Sequence, residues 1–85
     1  ICSSGVGVDV TANKFPGVRS ALAMSVEHIR AARNDDDVNV LSLASDFIKP
    51  EDALAIAHTF LATPFDSEAR RVRRLEKIAK IEKEN

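Results

Sequence analysis

Ile1-Cys2-Ser3-Ser4-Gly5-Val6-Gly7-Val8-Asp9-Val10-Thr11-Ala12-Asn13-Lys14 opens the chain. A cysteine stands directly before a turn of small residues, and the turn runs into a segment that can become a helix. Such a turn aims several backbone N–H groups at one spot, where an anion can sit. A cysteine beside that nest can move protons on a substrate whose developing oxyanion the nest holds. No strand fits ahead of Cys2, so the sequence reads as starting inside an element.

Outward from this turn, the pattern alternates strand and helix. Val18 to Met24 is short and apolar enough for a buried strand. Ser25 suits the N-cap of a helix reaching about Arg33. Val38 to Leu43 alternates apolar and polar residues and reads as a second strand. Pro50, Glu51 and Asp52 open the next helix, because proline suits a first turn and acids suit the positive helix end. Leu54, Ala57, Phe60 and Leu61 are expected on its buried face, and Thr63-Pro64 ends it. Asp66 or Ser67 is expected to cap a last helix with Val72, Leu75, Ile78 and Ala79 as its apolar stripe. This order predicts right-handed crossovers and a parallel sheet. Ligands of such sheets gather outside the carboxyl ends of strands. Cys2, Met24 and Leu43 fall at or near such ends.

Eighty-five residues allow one small domain or a piece of a larger one. A chain this short buries about 60% of its unfolded surface, so a partner chain or further residues are expected to complete its core. The lone cysteine excludes an internal disulfide framework and suits a reducing cytoplasm. No apolar run reaches the roughly 20 residues of a membrane span, and no signal peptide is recognisable. A net charge of -1 argues against general nucleic-acid affinity. Charge is nonetheless clustered, acidic at Asp35, Asp36 and Asp37 and basic at Arg70, Arg71, Arg73 and Arg74.

The opening run Cys-Ser-Ser-Gly-Val-Gly followed by Ala12-Asn13-Lys14 resembles the ribose-5-phosphate isomerase B and galactose-6-phosphate isomerase family, whose pattern is Cys-Gly-Thr-Gly-x-Gly and then Ala-Asn-Lys. Further matches follow in the same order: Pro16-Gly17-Val18-Arg19-Ser20-Ala21-Leu22, Asn39-Val40-Leu41, Phe60-Leu61-Ala62-Thr63-Pro64-Phe65 and Arg70-x-x-x-Arg74. The resemblance implies an α/β fold, a Rossmann-like three-layer α/β/α sandwich around a parallel sheet. Residues 1–85 would form the C-terminal portion of a single sugar-phosphate isomerase domain, ending in a long helix. Family members carry an Asp-His pair, used for substrate, in their first half, which the resemblance implies would precede this stretch.

Site roles follow from the same resemblance. Cys2 takes the place of the catalytic base, which shuttles a proton between C1 and C2 through an enediolate. That role needs a thiolate near neutral pH, which a helix N-terminus favours. Read alone, a cysteine at a strand end is more often a small buried hydrophobe. Ser3, Ser4, Gly5, Val6 and Gly7 would hold the enediolate oxygen, with the Ser4 hydroxyl assisting Cys2. Alone, Gly-x-Gly is often only a tight turn. Arg70 and Arg74, four apart on one helix face, would clamp the sugar phosphate. The bland alternative is a solvated face paired with Glu68 or Glu76. Arg71, where the family often has histidine, and Arg73 are expected at the surface. Asp9 is expected to be solvated or capping, and Asn13 and Lys14 to close the first helix.

Three departures bear on substrate. Asp35 and Asp36 stand where the family commonly has His-Asn, and that histidine helps open the sugar ring. Asp35 could replace it as an acid only if its pKa were raised; Asp36 would line the substrate site, while Asp37 reads as a solvated loop residue. Asp46 stands where the family has another arginine, which removes a phosphate partner and adds a repulsive charge. His28 and His58 have no partners at metal spacing, so no metal is expected. The enediolate route needs only a base and an oxyanion site, so no cofactor is implied either. The resulting expectation is an aldose–ketose isomerase of a phosphorylated sugar, a homodimer with active sites shared between subunits, without nucleic-acid or membrane partners. The alternatives are a non-catalytic sugar-phosphate-binding homologue and an isomerase of another sugar phosphate, such as galactose 6-phosphate or a tetrose phosphate. A nucleotide-binding module rests only on the glycine-rich turn and lacks the Gly-x-Gly-x-x-Gly spacing.

Overall fold

A computed structural model describes all 85 residues. The elements run α1 (Val6–Ala12), β1 (Ser20–Leu22), α2 (Val26–Asp36), β2 (Val40–Ser42), α3 (Pro50–Ala62) and α4 (Ala69–Glu84). β1 and β2 pair in parallel, Ser20 opposite Val40 and Leu22 opposite Ser42. Cys2 forms a parallel bridge with Ala44, just past the end of β2. Its N–H donates to Leu43 O, whereas Ala23 N–H donates to Ser42 O. Successive carbonyls of a strand point to opposite edges. β2 therefore lies between the Cys2 segment and β1.

Side chains alternate across this sheet and define three layers. Ala23, Leu41 and Leu43 face α2 and α3, where Ala23, Ile29 and Ile56 form the buried centre. Ser20 and Leu22 face the other way, toward α1. Ile29 and Ile56 are wholly buried, and each such side chain contributes about 1.5–3 kcal/mol. The α/β/α arrangement with a parallel sheet agrees with the sequence reading.

Helices α2 and α3 begin as their sequences predict. Ser25 caps α2, its hydroxyl accepting from His28 N–H at 3.0 Å. Pro50 occupies the first turn of α3, followed by Glu51 and Asp52. Other details differ. The buried side of α3 is Ile56, with Phe60 and Ala57 half-buried, while Leu54 and Leu61 are 73% and 82% exposed. Leu54 and Leu61 are seven apart, so they share a flank, but at 3.6 residues per turn that flank lies opposite Ile56. Glu68, rather than Asp66 or Ser67, occupies the N-cap of α4 and makes no side-chain cap bond. Along α4, Val72 and Leu75 are half-buried, whereas Ile78 and Ala79 are exposed.

The acidic run is folded rather than loose. α2 continues to Asp36, and Asp37 ends it in the left-handed conformation with φ 48°. Asp37 is not a solvated loop residue. Its carboxylate meets Arg19 and Arg33, each at 3.2 Å. Those two cations offset the repulsion between an acid and the negative end of the helix. Arg33 also donates to Val38 O and Thr63 O and lies over the Phe60 ring, joining α2, β2 and the end of α3.

Candidate active site

The turn between Cys2 and α1 is set by Gly5. Its φ of 74° is left-handed, and an added Cβ would meet Leu22 Cδ1 at 2.5 Å and Ala44 N at 3.0 Å. Only glycine fits a positive φ pressed this closely against a sheet. Gly7 differs, for a Cβ there would meet nothing within 4 Å. Its bareness leaves room in a shallow groove lined by Cys2, Gly7, Val8, Thr11 and Ala12.

The loop is held on its other side by the segment after β2. Ser45 N–H donates to Cys2 O and Asp46 N–H to Ser3 O, both at 2.9 Å. Val6 N–H donates to Ser4 Oγ at 3.3 Å. The Ser4 hydroxyl therefore accepts within its own turn. The N–H groups of Val8, and then of Gly5 and Gly7, bear on the Cys2 thiol and hold its pKa below the ordinary cysteine value, against partial desolvation. A thiol whose pKa is lowered by backbone amides at a strand end has the chemistry of a general base. The part of Val8 was not legible in the sequence, because it lies a turn into α1.

α1 is aimed by polar ties to β1. The Ser20 hydroxyl donates to Asp9 Oδ1 at 2.6 Å and lies 2.9 Å from Ser42 Oγ. Asn13 bonds both the N–H and the C=O of Ser20 through its side chain. Asp9 is thus a structural tie rather than a solvated residue, and Asn13 closes the helix as expected.

The remaining predicted residues gather elsewhere. Asp35 and Asp36 end α2, at the amino ends of the strands, and Arg70 and Arg74 lie on α4, which packs there. The eleven residues of α2 separate the two ends by about 16 Å. Cys2, Ser3, Ser4, Gly5, Val6 and Gly7 are therefore brought together, but Asp35, Asp36, Arg70 and Arg74 are not brought to them within one chain. Arg70 bonds Glu68 at 2.9 Å, and both are largely exposed. Asp36 is exposed and lines a groove of about 650 Å³ between the Asn13–Ser20 connection and the distal half of α4. That groove is the largest, yet it lies far from the thiol.

Arg71, expected at the surface, is the least exposed arginine of the basic cluster. Its side chain is 14% exposed and its Nη1 lies 2.8 Å from Asp35 Oδ1. The two positions where the family resemblance expects histidine are thus paired with each other. Asn34, which donates to Asp35 at 2.9 Å, and then Arg71, Arg74 and Arg70 hold the Asp35 carboxyl below the usual range, against partial desolvation. A ring-opening acid needs the opposite shift, so the condition set for Asp35 in that role is not met.

Comparison with known proteins agrees with this geometry. The family model described as Ribose/Galactose Isomerase matches residues 1–78. The chain is 42% identical over 84 residues to the probable ribose-5-phosphate isomerase B of Mycoplasma genitalium, covering 99% of this chain and 55% of that one. It resembles the type B ribose 5-phosphate isomerase structure from Trypanosoma cruzi with a TM-score of 0.97 at 40% identity, over 99% of this chain and 56% of that one. It also resembles the Mycoplasma genitalium ribose-5-phosphate isomerase B structure with bound ribulose-5-phosphate, with a TM-score of 0.93 at 40% identity, over 99% and 55% of the two chains. The chain spans about half the length of these relatives. A cysteine in a backbone nest at a strand end, an α/β/α frame and these matches lead to one assignment: the chain belongs to the ribose/galactose isomerase family.

Proposed function

We propose that the protein is an aldose–ketose isomerase of a phosphorylated sugar, of the ribose 5-phosphate to ribulose 5-phosphate type. The observation that carries this is the placement of Cys2 at the left-handed Gly5 turn, fixed by the Ser45 and Asp46 N–H bonds to Cys2 and Ser3, where the amides of Gly5, Gly7 and Val8 lower the thiol pKa. In this reading the Cys2 thiolate takes the proton from C2 of the aldose. The carbonyl oxygen at C1 becomes an enediolate oxygen held by the Ser3–Gly7 backbone, with Ser4 beside it. The Cys2 thiol then returns the proton to C1 while the hydroxyl proton at C2 passes to the oxygen at C1, which leaves the ketose. No oxidant is consumed, because the electron pair moves within the sugar.

Arg70 and Arg74 bind the phosphate in this proposal. Their distance from Cys2 along α2 favours sites shared between two copies, with Cys2 from one protomer and the arginine pair from its partner. Asp35 acts beside the arginine pair as a fixed anion, and Asp36, next to it at the end of α2, is the second acidic residue of the proposed substrate site. A base that works as a free thiolate needs a reducing compartment, such as the cytoplasm. No helix is long and apolar enough to cross a membrane.

One observation favours a second reading, sugar-phosphate binding without turnover. Asp46 is tied through its N–H to Ser3 O, which brings an acidic residue next to the nest. A turnover assay of the whole protein on pentose, hexose and tetrose phosphates decides between them, with Cys2→Ala as control. Ketose formation that Cys2→Ala abolishes supports the isomerase. Binding of these sugars without ketose formation supports the second reading.

A further inference from the structure

The first turn of α4 carries a contact that the chemistry above does not use. Arg71 faces three carboxylates: Asp35 Oδ1 is 2.8 Å from its Nη1, while Asp66 Oδ2 and Glu68 Oε2 lie 3.5 and 3.7 Å from its Nε. Arg71 Nε is buried without a hydrogen-bond partner, so Asp66 and Glu68 hold it by charge alone. Asp66 is fixed in turn, its N–H donating to Asn34 O at 3.0 Å. Arg71 thus joins the end of α2, the segment before α4 and the first turn of α4. At 100° per residue, Arg70 and Arg74 lie within about 40° of each other, and Arg71 sits roughly 60–100° to one side. Anchoring Arg71 therefore sets the direction in which the other two point.

We infer that Arg71 is a positioning residue for phosphate, fixing the rotation of α4 through Asp35 so that Arg70 and Arg74 converge on one anion. This rests on the assignment of Arg70 and Arg74 as the phosphate clamp. Glu68 belongs to the same device. Its Oε2 stands 2.9 Å from Arg70 Nε and 3.7 Å from Arg71 Nε, between the clamp and the anchor. An incoming phosphate must draw Arg70 from Glu68, and Arg71 keeps that carboxylate neutralised when it does.

The test uses the whole protein, with inorganic phosphate as competitive probe and ribose 5-phosphate as substrate. Arg71→Gln is expected to raise KM and the phosphate inhibition constant together by about tenfold, the effect of one misplaced charge-assisted contact. Its kcat should change less than about twofold. Arg71→Lys, which keeps a cation beside Asp35, Asp66 and Glu68, is expected to recover most of that loss. Glu68→Gln is expected to tighten phosphate binding by up to about fivefold, a gain that misfolding cannot imitate. The inference is overturned if Arg71→Gln lowers only the melting temperature, or lowers kcat with KM unchanged. It is equally overturned if Arg71→Lys recovers nothing in a folded protein. The clamp assignment has its own control: if Arg70→Ala with Arg74→Ala leaves KM and phosphate inhibition unchanged, that reading fails, and the inference with it.

Discussion

The Ser20 hydroxyl donates to the Asp9 carboxylate at 2.6 Å, and this contact fixes the direction of α1 over the sheet. Ser20 has one proton and Asp9 takes it, so the 2.9 Å contact with Ser42 is donated by Ser42. Ser42 is buried, and its hydroxyl would otherwise be unpaired. The chain Ser42, Ser20, Asp9 therefore joins both strands to the helix whose first amides surround Cys2.

Replacing Asp9 by alanine leaves the Ser20 proton without its acceptor. Hydrogen bonds to charged groups contribute about 1.5–3 kcal/mol, and a loss of that order is expected in equilibrium unfolding. The same variant should raise the Cys2 pKa, because α1 is no longer held in place. A variant as stable as its parent would contradict the structural role of Asp9.

Gly5→Ala is expected to be the most damaging single-methyl change. The left-handed φ alone costs about 1–2 kcal/mol for an L-residue, and the added Cβ collides with Leu22 Cδ1 and the Ala44 backbone. Gly7→Ala meets no neighbour, so it should cost little stability and act instead on substrate entry into the groove. Thermal unfolding of the two variants side by side checks this contrast. Equal losses would refute it.

The Cys2 thiol is predicted to titrate below an ordinary cysteine, with the Val8 N–H the largest cause. The folded state favours the thiolate. Its contribution to stability is therefore present above the unfolded pKa and lost as pH falls through the folded one. The rate of alkylation by iodoacetamide against pH reads the folded value directly. A midpoint at or above that of a free cysteine would show that the amides do not act on sulfur.

Asp35 follows the same sign. Its folded pKa is depressed, by Asn34 first and then by the charges of Arg71, Arg74 and Arg70. The stabilisation is present above the ordinary carboxylate range and fades as pH falls through the folded value. Asp35→Asn should therefore differ most from its parent near neutral pH and converge with it in acid. Melting curves across that range would contradict the ion pair if the gap widened toward low pH.

Much of this was legible in the sequence because local rules and the fold agree. Ser25, Pro50 and Thr63-Pro64 mark helix limits that the structure keeps, within a residue or so. The Gly5 turn and its placement of Cys2 were readable for the same reason. Burial on α3 was not, since Leu54 and Leu61 look as apolar as Ile56 and only the position of Ile29 decides which flank is covered. The pairing of Asp35 with Arg71 spans 36 residues of sequence, and charge patterning has no reach over that distance. Nor could spacing show that Cys2 and the arginine pair occupy opposite ends of α2.

The central claim is that the Cys2 thiolate moves a sugar proton. Incubation of the whole protein with ribose 5-phosphate in deuterated water tests it, with hydrogen at C2 followed by NMR. The account predicts deuterium at C2 of the aldose, abolished by Cys2→Ala while phosphate binding persists. Exchange that survives in Cys2→Ala, or none with the parent protein, would contradict it.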